Sequence, residues 1–216
     1  MKAILFDNDG TLVDTHEIIL ASMRYSTQKV LGKVIPDDAL MHKVGQPLAV
    51  QMRDFTPDET EQAEILRVYR EHNATIHDEK IRAFAGIEEV LARLAELGVP
   101  MGVVTSKLRT TAWHGLELTG LAPYLGCCIG AEDCEHFKPE AEPVVRGAEV
   151  LGVRVGECAY VGDSPYDIQA GKAAGCATVA VAWGMFSEDE LLAERPDCLC
   201  RSPQEFLDVA TSFISS

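Results

Sequence analysis

The sequence predicts an α/β protein: a Rossmann-like parallel sheet core with helices on both faces, and an all-helical module inserted after the first strand. Three observations predict it. Short apolar runs recur, KAILF at 2–6, PMGVVT at 100–105, CAYV at 158–161 and CATVAVA at 176–182, each with the length of a buried strand. Between them lie segments of helical spacing, such as Ile87, Val90, Leu91, Leu94 and Leu97. Strands that alternate with helices indicate a mostly parallel sheet covered on both sides. Residues 33–80 differ: Pro36, Gly45, Pro47 and Pro57 punctuate helical stretches, and no strand pattern occurs.

Taken in order, the first strand ends abruptly in acidic residues. The segment Asp14-Thr15-His16-Glu17 has an Asp with Glu three positions on, which predicts a capping box on Asp14. The helix that follows is expected to reach about Leu31 and stop at Gly32. From Asp58 to about Glu79 the Glu, Ala, Leu and Arg content predicts one long helix. The core is therefore expected to comprise residues 1–14 and 81–216, and the module residues 15–80. Beyond it the pattern predicts a helix from Ile87 closed by Gly98, the strand at 100–105 and a helix from Arg109 to Leu118. A short strand at 127–129 and a helix over 143–151 come next. The strand at 158–161 runs into Gly162-Asp163. A helix over 165–173, the strand at 176–182, a last strand near 196–199 and a closing helix near 203–213 complete the chain.

The chain has 216 residues, enough to bury a core without disulfides or metal staples. Its formal net charge is −15, which repels nucleic acid and anionic lipid and makes both poor partners. The same charge repels phosphate, so a phosphate site must be locally cationic. The seven cysteines are odd in number and scattered, with no CxxC pair, so a zinc knuckle is not expected. Cys198 and Cys200 read as alternate residues of a strand. Free thiols suit a reducing cytoplasm, the expected location. The start, MKAILFDNDG, turns acidic too early for a signal peptide, and no run approaches the ~18 apolar residues of a membrane helix.

In open parallel sheets, ligands sit beyond the carboxyl ends of the strands. Four strand ends carry suitable residues. The first gives Asp7 and Asp9 in FDNDGTLVD, two close carboxylates that favour a bound cation or a shared proton, with Gly10 allowing a sharp turn. The second gives Thr105, Ser106 and Lys107, which could hold phosphate oxygens or simply cap the next helix. The third gives Lys138 in HFKPEAEP, a point charge for phosphate unless it is plain solvated surface. The fourth gives Asp163 in YVGDSPYD. Ser164 with Asp167 fits a capping box, so Asp167 reads equally as a cap or as part of the site.

These four segments in this order resemble the motifs of the haloacid dehalogenase-like hydrolase superfamily. FDNDGTLVD matches its DxDGT motif, VVTSK the second, HFKPE the third and VGDSPYD the fourth, so the likeness runs over nearly the whole chain. The resemblance implies that Asp7 is a covalent nucleophile and Asp9 the general acid and base. It implies that Thr105, Ser106 and Lys138 hold phosphate, with Lys138 also catalytic. Asp7, the main-chain carbonyl of Asp9 and Asp163 would hold Mg2+, with Asp167 behind them, and the helical module would be a cap. Asp9 points to phosphoryl transfer, since the dehalogenases and phosphonate hydrolases lack an acid there. Asn8 departs from the apolar residue common at that place.

The branch resembled is that of phosphoglycolate phosphatases and pyrophosphatases, through YREHNATIHDE and EHFKPEAEP. A small phosphorylated metabolite or pyrophosphate is the expected substrate, for a monomer or homodimer. A β-phosphoglucomutase-like enzyme stays open, as does a phospho-accepting receiver-type signalling domain, although receivers lack a long helical insertion at 14–80. Cap contacts are expected from His42, Lys43, Gln46 and Arg53 around the VGQPL turn. Trp113 and Trp183 read as packing residues, and His72 and His77 as surface or hinge residues.

Overall fold

The computed structural model describes residues 2–215. The strands are β1 (Ala3–Phe6), β2 (Val13–Asp14), β3 (Arg82–Ala83), β4 (Met101–Val104), β5 (Cys128–Ile129), β6 (Cys158–Gly162), β7 (Ala177–Val181) and β8 (Cys198–Cys200). The α-helices are α1 (His16–Leu31), α2 (Asp37–Met41), α3 (Leu48–Gln51), α4 (Glu59–Lys80), α5 (Ile87–Glu96), α6 (Arg109–Leu118), α7 (Glu142–Val150), α8 (Pro165–Ala174), α9 (Glu188–Ala193) and α10 (Pro203–Ser215). Six strands form one sheet in the order β5-β4-β1-β6-β7-β8, parallel throughout. The chain leaves β1 for one side of the sheet and later returns to fill the other. This puts a crevice at the carboxyl end of β1, between β4 and β6.

Side-chain alternation on β1 divides the core in two. Ile4 and Phe6 enter a cluster with Leu91, Leu94, Leu116 and Phe206 from α5, α6 and α10. Ala3 and Leu5 enter the opposite cluster with Val144, Ala148, Tyr160 and Ala170. The stripe Ile87, Val90, Leu91 and Leu94 of α5 is buried as its spacing predicts. Leu97 is not part of it: the helix ends at Glu96, and Leu97 is exposed.

Between β2 and β3 every regular element is helical. These two short strands pair antiparallel, Val13 with Ala83 and Asp14 with Arg82, so the excursion leaves and returns through one stem. Its helices have their own core, built on Ile19, Leu20, Met23, Leu40, Met52, Ile65 and Tyr69. Asp58 caps α4 by accepting from the amides of Thr60 at 2.8 Å and Glu61 at 3.2 Å.

One local expectation is corrected, and two elements lie beyond the sequence pattern. The capping box on Asp14 does not form. Asp14 belongs to β2, the N-cap of α1 is Thr15, and no side-chain bond caps this helix. The Thr15 hydroxyl is occupied elsewhere, by Asp9 at 2.7 Å. Helix α9 and the β2–β3 stem were not legible in the pattern. Two-residue strands leave no periodicity to read.

Phe206 packs edge-on against Phe6 with centroids 5.6 Å apart, joining α10 to the central strand. Phe206→Ala is expected to lower stability by about 3–5 kcal/mol. Urea unfolding checks this, and a loss under 1 kcal/mol would mean that α10 is not locked to the sheet there.

Candidate active site

Asp7 follows β1 directly, and its amide donates to Val161 of β6 at 2.8 Å. The ladder thus fixes Asp7 at the crevice. Thr105 is held in the same way after β4, its amide donating to Ile129 at 2.9 Å. Asp163 follows β6. Lys138 arrives on the loop between β5 and α7, which brings its ammonium under Asp7. All four residues are buried.

Lys138 Nζ donates to Asp7 Oδ1 at 2.9 Å and to Asp167 Oδ1 at 2.6 Å. Asp167 is held on every side. Its Oδ1 also accepts from the Tyr160 hydroxyl at 3.0 Å, and its Oδ2 from the Ser164 amide at 3.1 Å and the Ser164 hydroxyl at 2.5 Å. The capping box of α8 is therefore real, and the same carboxylate steadies Lys138. Asp167 thus caps α8 and binds Lys138 at once. Tyr160, read only as part of a strand, is a support for the site: its hydroxyl bridges Asp167 and the Val104 carbonyl.

Asp163 accepts from Thr11 Oγ1 at 3.1 Å and from the Met185 amide at 2.7 Å, and has no cationic partner among the described residues. The backbone closes tightly on it. Gly10, at φ +83°, would place a Cβ 2.1 Å from Asp163 Oδ2, and Gly184 would place one 2.3 Å from its Cβ. Oxygens of Asp7, Asp163 and Asp167 lie within 4.8 Å of one another.

The charges follow from burial. Asp7 is pushed up to about 7 by burial and by the neighbouring Asp167 and Asp9 carboxylates, against the pull of Lys138. Burial, then Asp7 and Asp167, raise Asp163 well above the usual range. Lys138 resists the downward effect of burial because Asp167 and Asp7 hold its proton. A buried carboxylate without a counter-charge, beside a second one, fits a hard cation with oxygen ligands. That donor set could hold a metal ion.

Asp9 differs. Burial would raise it, but Lys107 Nζ at 2.6 Å and the Thr15 hydroxyl at 2.7 Å outweigh that and hold it below its ordinary value. Asn8 adds a hydrogen bond from its side chain. Asn8, Thr15 and Lys107 thus form the setting of Asp9. Their roles are not readable from spacing, because each reaches Asp9 only through the fold.

Thr105 lines the cavity, and its Oγ1 accepts from the Lys107 amide at 3.2 Å, which leaves the hydroxyl proton for a ligand. It does not cap α6, whose N-cap is Leu108. Ser106 donates instead to the Gly45 carbonyl at 2.6 Å and so ties the core to the helical insertion. The cavity above these groups measures about 730 Å³. Gln46 lines it, whereas His42, Lys43 and Arg53 do not. His42 and Lys43 turn to Asp54, at 3.3 and 2.7 Å. His77, expected at a surface or hinge, is buried in the cavity wall. The neighbouring Asp78 accepts from it at 3.0 Å and also reaches His114 of α6.

A lysine-bridged acidic cluster at the carboxyl end of the central parallel strand is the chemical centre of the site. Residues 4–181 match the family model for the haloacid dehalogenase-like hydrolases, and the chain belongs to this family. It is an enzyme of the phosphatase type. It is 34% identical to the pyrophosphatase PpaX of Halalkalibacterium halodurans, over 97% of this chain and 96% of that one. It is 32% identical to the PpaX pyrophosphatase of Bacillus pumilus, with the same coverage. Among solved structures it resembles one named as a predicted phosphatase from Clostridium acetobutylicum, with TM-score 0.87 and 26% identity over 98% of both chains. A β-phosphoglucomutase from Clostridium difficile shares the fold at TM-score 0.86 and 18% identity, over 100% of this chain and 98% of that one. The receiver-type reading is set aside by the family match.

Because Asp7 and Asp163 bind protons more tightly when folded, the metal-free protein is expected to lose stability as pH rises from the ordinary 3.8 towards about 7. The protonated forms are the stable ones in the fold, so stability is highest below this window. Asp163→Asn should flatten the slope relative to wild type, as should added Mg2+, read as urea midpoints against pH. Equal slopes in all three would contradict the charge assignment.

Proposed function

We propose that the chain is a magnesium-dependent phosphatase of small phosphorylated metabolites, acting through an aspartyl-phosphate on Asp7. Phosphoglycolate and inorganic pyrophosphate are its first candidate substrates, the latter supported by the names of the PpaX relatives. The observation that carries the proposal is Asp7, buried at the floor of the cavity and held by Lys138 opposite the uncompensated Asp163. In this reading Asp7, the Asp9 carbonyl and Asp163 hold Mg2+, which supplies charge neutralisation for the equatorial phosphoryl oxygens. Residues 1–14 and 81–216 are the catalytic core, and residues 15–80 the cap over it. No helix among the described residues is long and apolar enough to cross a membrane, and a cytoplasmic site of action is part of the proposal.

The chain's own residues then act in sequence. Thr105 and Lys138 hold the phosphoryl oxygens. Asp7 attacks phosphorus in line, and the leaving oxygen departs with a proton from Asp9. Asp9, once ionised, takes a proton from the water that attacks the aspartyl-phosphate, and Asp7 is regenerated. The ion pair with Lys107 favours the ionised form of Asp9, which suits the second half of this cycle. In the first half a bound phosphate would compete for Lys107 and release Asp9 to carry a proton. A phosphate leaving group also needs less acid assistance than an alkoxide.

A turnover panel with Mg2+ tests this on pyrophosphate, 2-phosphoglycolate, hexose phosphates and nucleotides. Asp7→Asn is expected to lose turnover to background. Asp9→Asn should lose ~10²–10⁴-fold while keeping its fold. Undiminished turnover in Asp7→Asn would remove the nucleophile assignment. Equal rates across the panel would remove the narrow substrate claim.

A further inference from the structure

We infer that Arg70 selects the substrate's leaving group by binding a second acidic function, a carboxylate or a phosphate, carried beyond the scissile bond. The inference rests on the phosphatase reading above and names the class of ester or anhydride that the site takes.

Three cationic side chains line the cavity: Lys107, Lys138 and Arg70. Lys138 is bound to Asp7 and Asp167, and Lys107 to Asp9. Arg70 has no ion pair and no side-chain hydrogen bond among the described residues, in a protein of net charge −15. The contrast on its own helix is sharp. Arg67, three residues earlier on α4, is paired with both Glu64 and Glu71 at the outer surface. The arginine that faces the cavity is the one left without an acid.

Helix geometry explains why it stays free. Arg70, Asn73, Ala74, His77 and Asp78 lie along one face of α4 at spacings of three and four, and all line the cavity. Asp78 is eight residues along, about 12 Å at 1.5 Å per residue, and its carboxylate is taken by His77 and His114. The neighbouring Tyr69 is close enough to Asp9 for that charge to raise its hydroxyl further, after burial. Tyr69 and Arg70 both line the cavity that also holds Asp7 and Lys138.

The charge balance favours such a group. Asp7, Asp9, Asp78, Glu132 and Asp163 also line the cavity, so an anion entering it is repelled unless each acidic end meets a cation. The reacting phosphoryl group has Lys138. An acidic group beyond it has Arg70, whose planar fork matches carboxylate or phosphate oxygens two at a time.

The test compares wild type, Arg70→Gln and Arg70→Lys on pyrophosphate, 2-phosphoglycolate and p-nitrophenyl phosphate. The last has a leaving group without an acid. Arg70→Gln should lose ~10–100-fold in kcat/KM, carried by KM, on the two-acid substrates, and under about 3-fold on p-nitrophenyl phosphate. Arg70→Lys should fall between, because it keeps the charge and loses the fork. Equal losses on all three substrates, or none, would overturn the inference. Calorimetric binding of 2-phosphoglycolate against methyl phosphate, in wild type and Arg70→Gln, separates this from the reaction itself. If wild type turns over no phosphate ester, the phosphatase reading fails. A selective loss of 2-phosphoglycolate binding would still uphold Arg70, and unchanged binding would overturn it.

Discussion

Much of this structure depends on one ammonium group. Lys138 lies buried between Asp7 and Asp167, and without it two carboxylates would face each other in a medium that screens them poorly. Burying an ion pair is costly in itself, and such a pair persists when the remaining donors and acceptors are satisfied. Here they are: Tyr160 and Ser164 complete Asp167. Asp163 is the exception. It is hydrogen-bonded but carries no counter-charge, so three carboxylates share one ammonium and the ionised cluster is short of two positive charges. A rigid sheet end, one saturated carboxylate and one electrically incomplete carboxylate together make a site prepared for a cation and a phosphate.

The second acidic residue of the first motif is handled by different means. Asp7 faces into the sheet crevice and Asp9 faces the helical insertion, two residues along the same segment. Lys107 and Thr15 bind Asp9 from the two sides of the crevice, one from the loop after β4 and the other from the start of α1. Ser106 adds a bond to the Gly45 carbonyl of the insertion. Two carboxylates of one motif, one raised and one lowered, are suited to different tasks.

The strand ends were legible because burial and chemistry leave marks in one dimension. An apolar run that stops at an acid, as before Asp7 and Asp163, or at a hydroxyl, as before Thr105, is such a mark. Long helices such as α4 and α6 were legible from their content and their stops. What escaped is what only the fold brings together. Tyr160 reads as an ordinary strand residue until its hydroxyl meets Asp167. Lys107 lies 98 positions from Asp9, and no spacing predicts their contact. His42 and Lys43 carry suitable chemistry on the right turn, yet a nearby Asp54 draws them away from the cavity. Arg70 belongs to a helix full of charges, and only its orientation distinguishes it from Arg67.

The central claim is that Asp7 itself becomes covalently phosphorylated. Acid quenching of the Asp9→Asn variant during turnover of p-nitrophenyl phosphate, whose leaving group needs no acid, followed by mass spectrometry of its peptides, tests this most directly. The account predicts one added phosphoryl group, confined to the peptide that contains Asp7, labile to hydroxylamine and absent without Mg2+. A phosphoryl group on another residue, or turnover with no phosphorylated enzyme at any quench time, would contradict it.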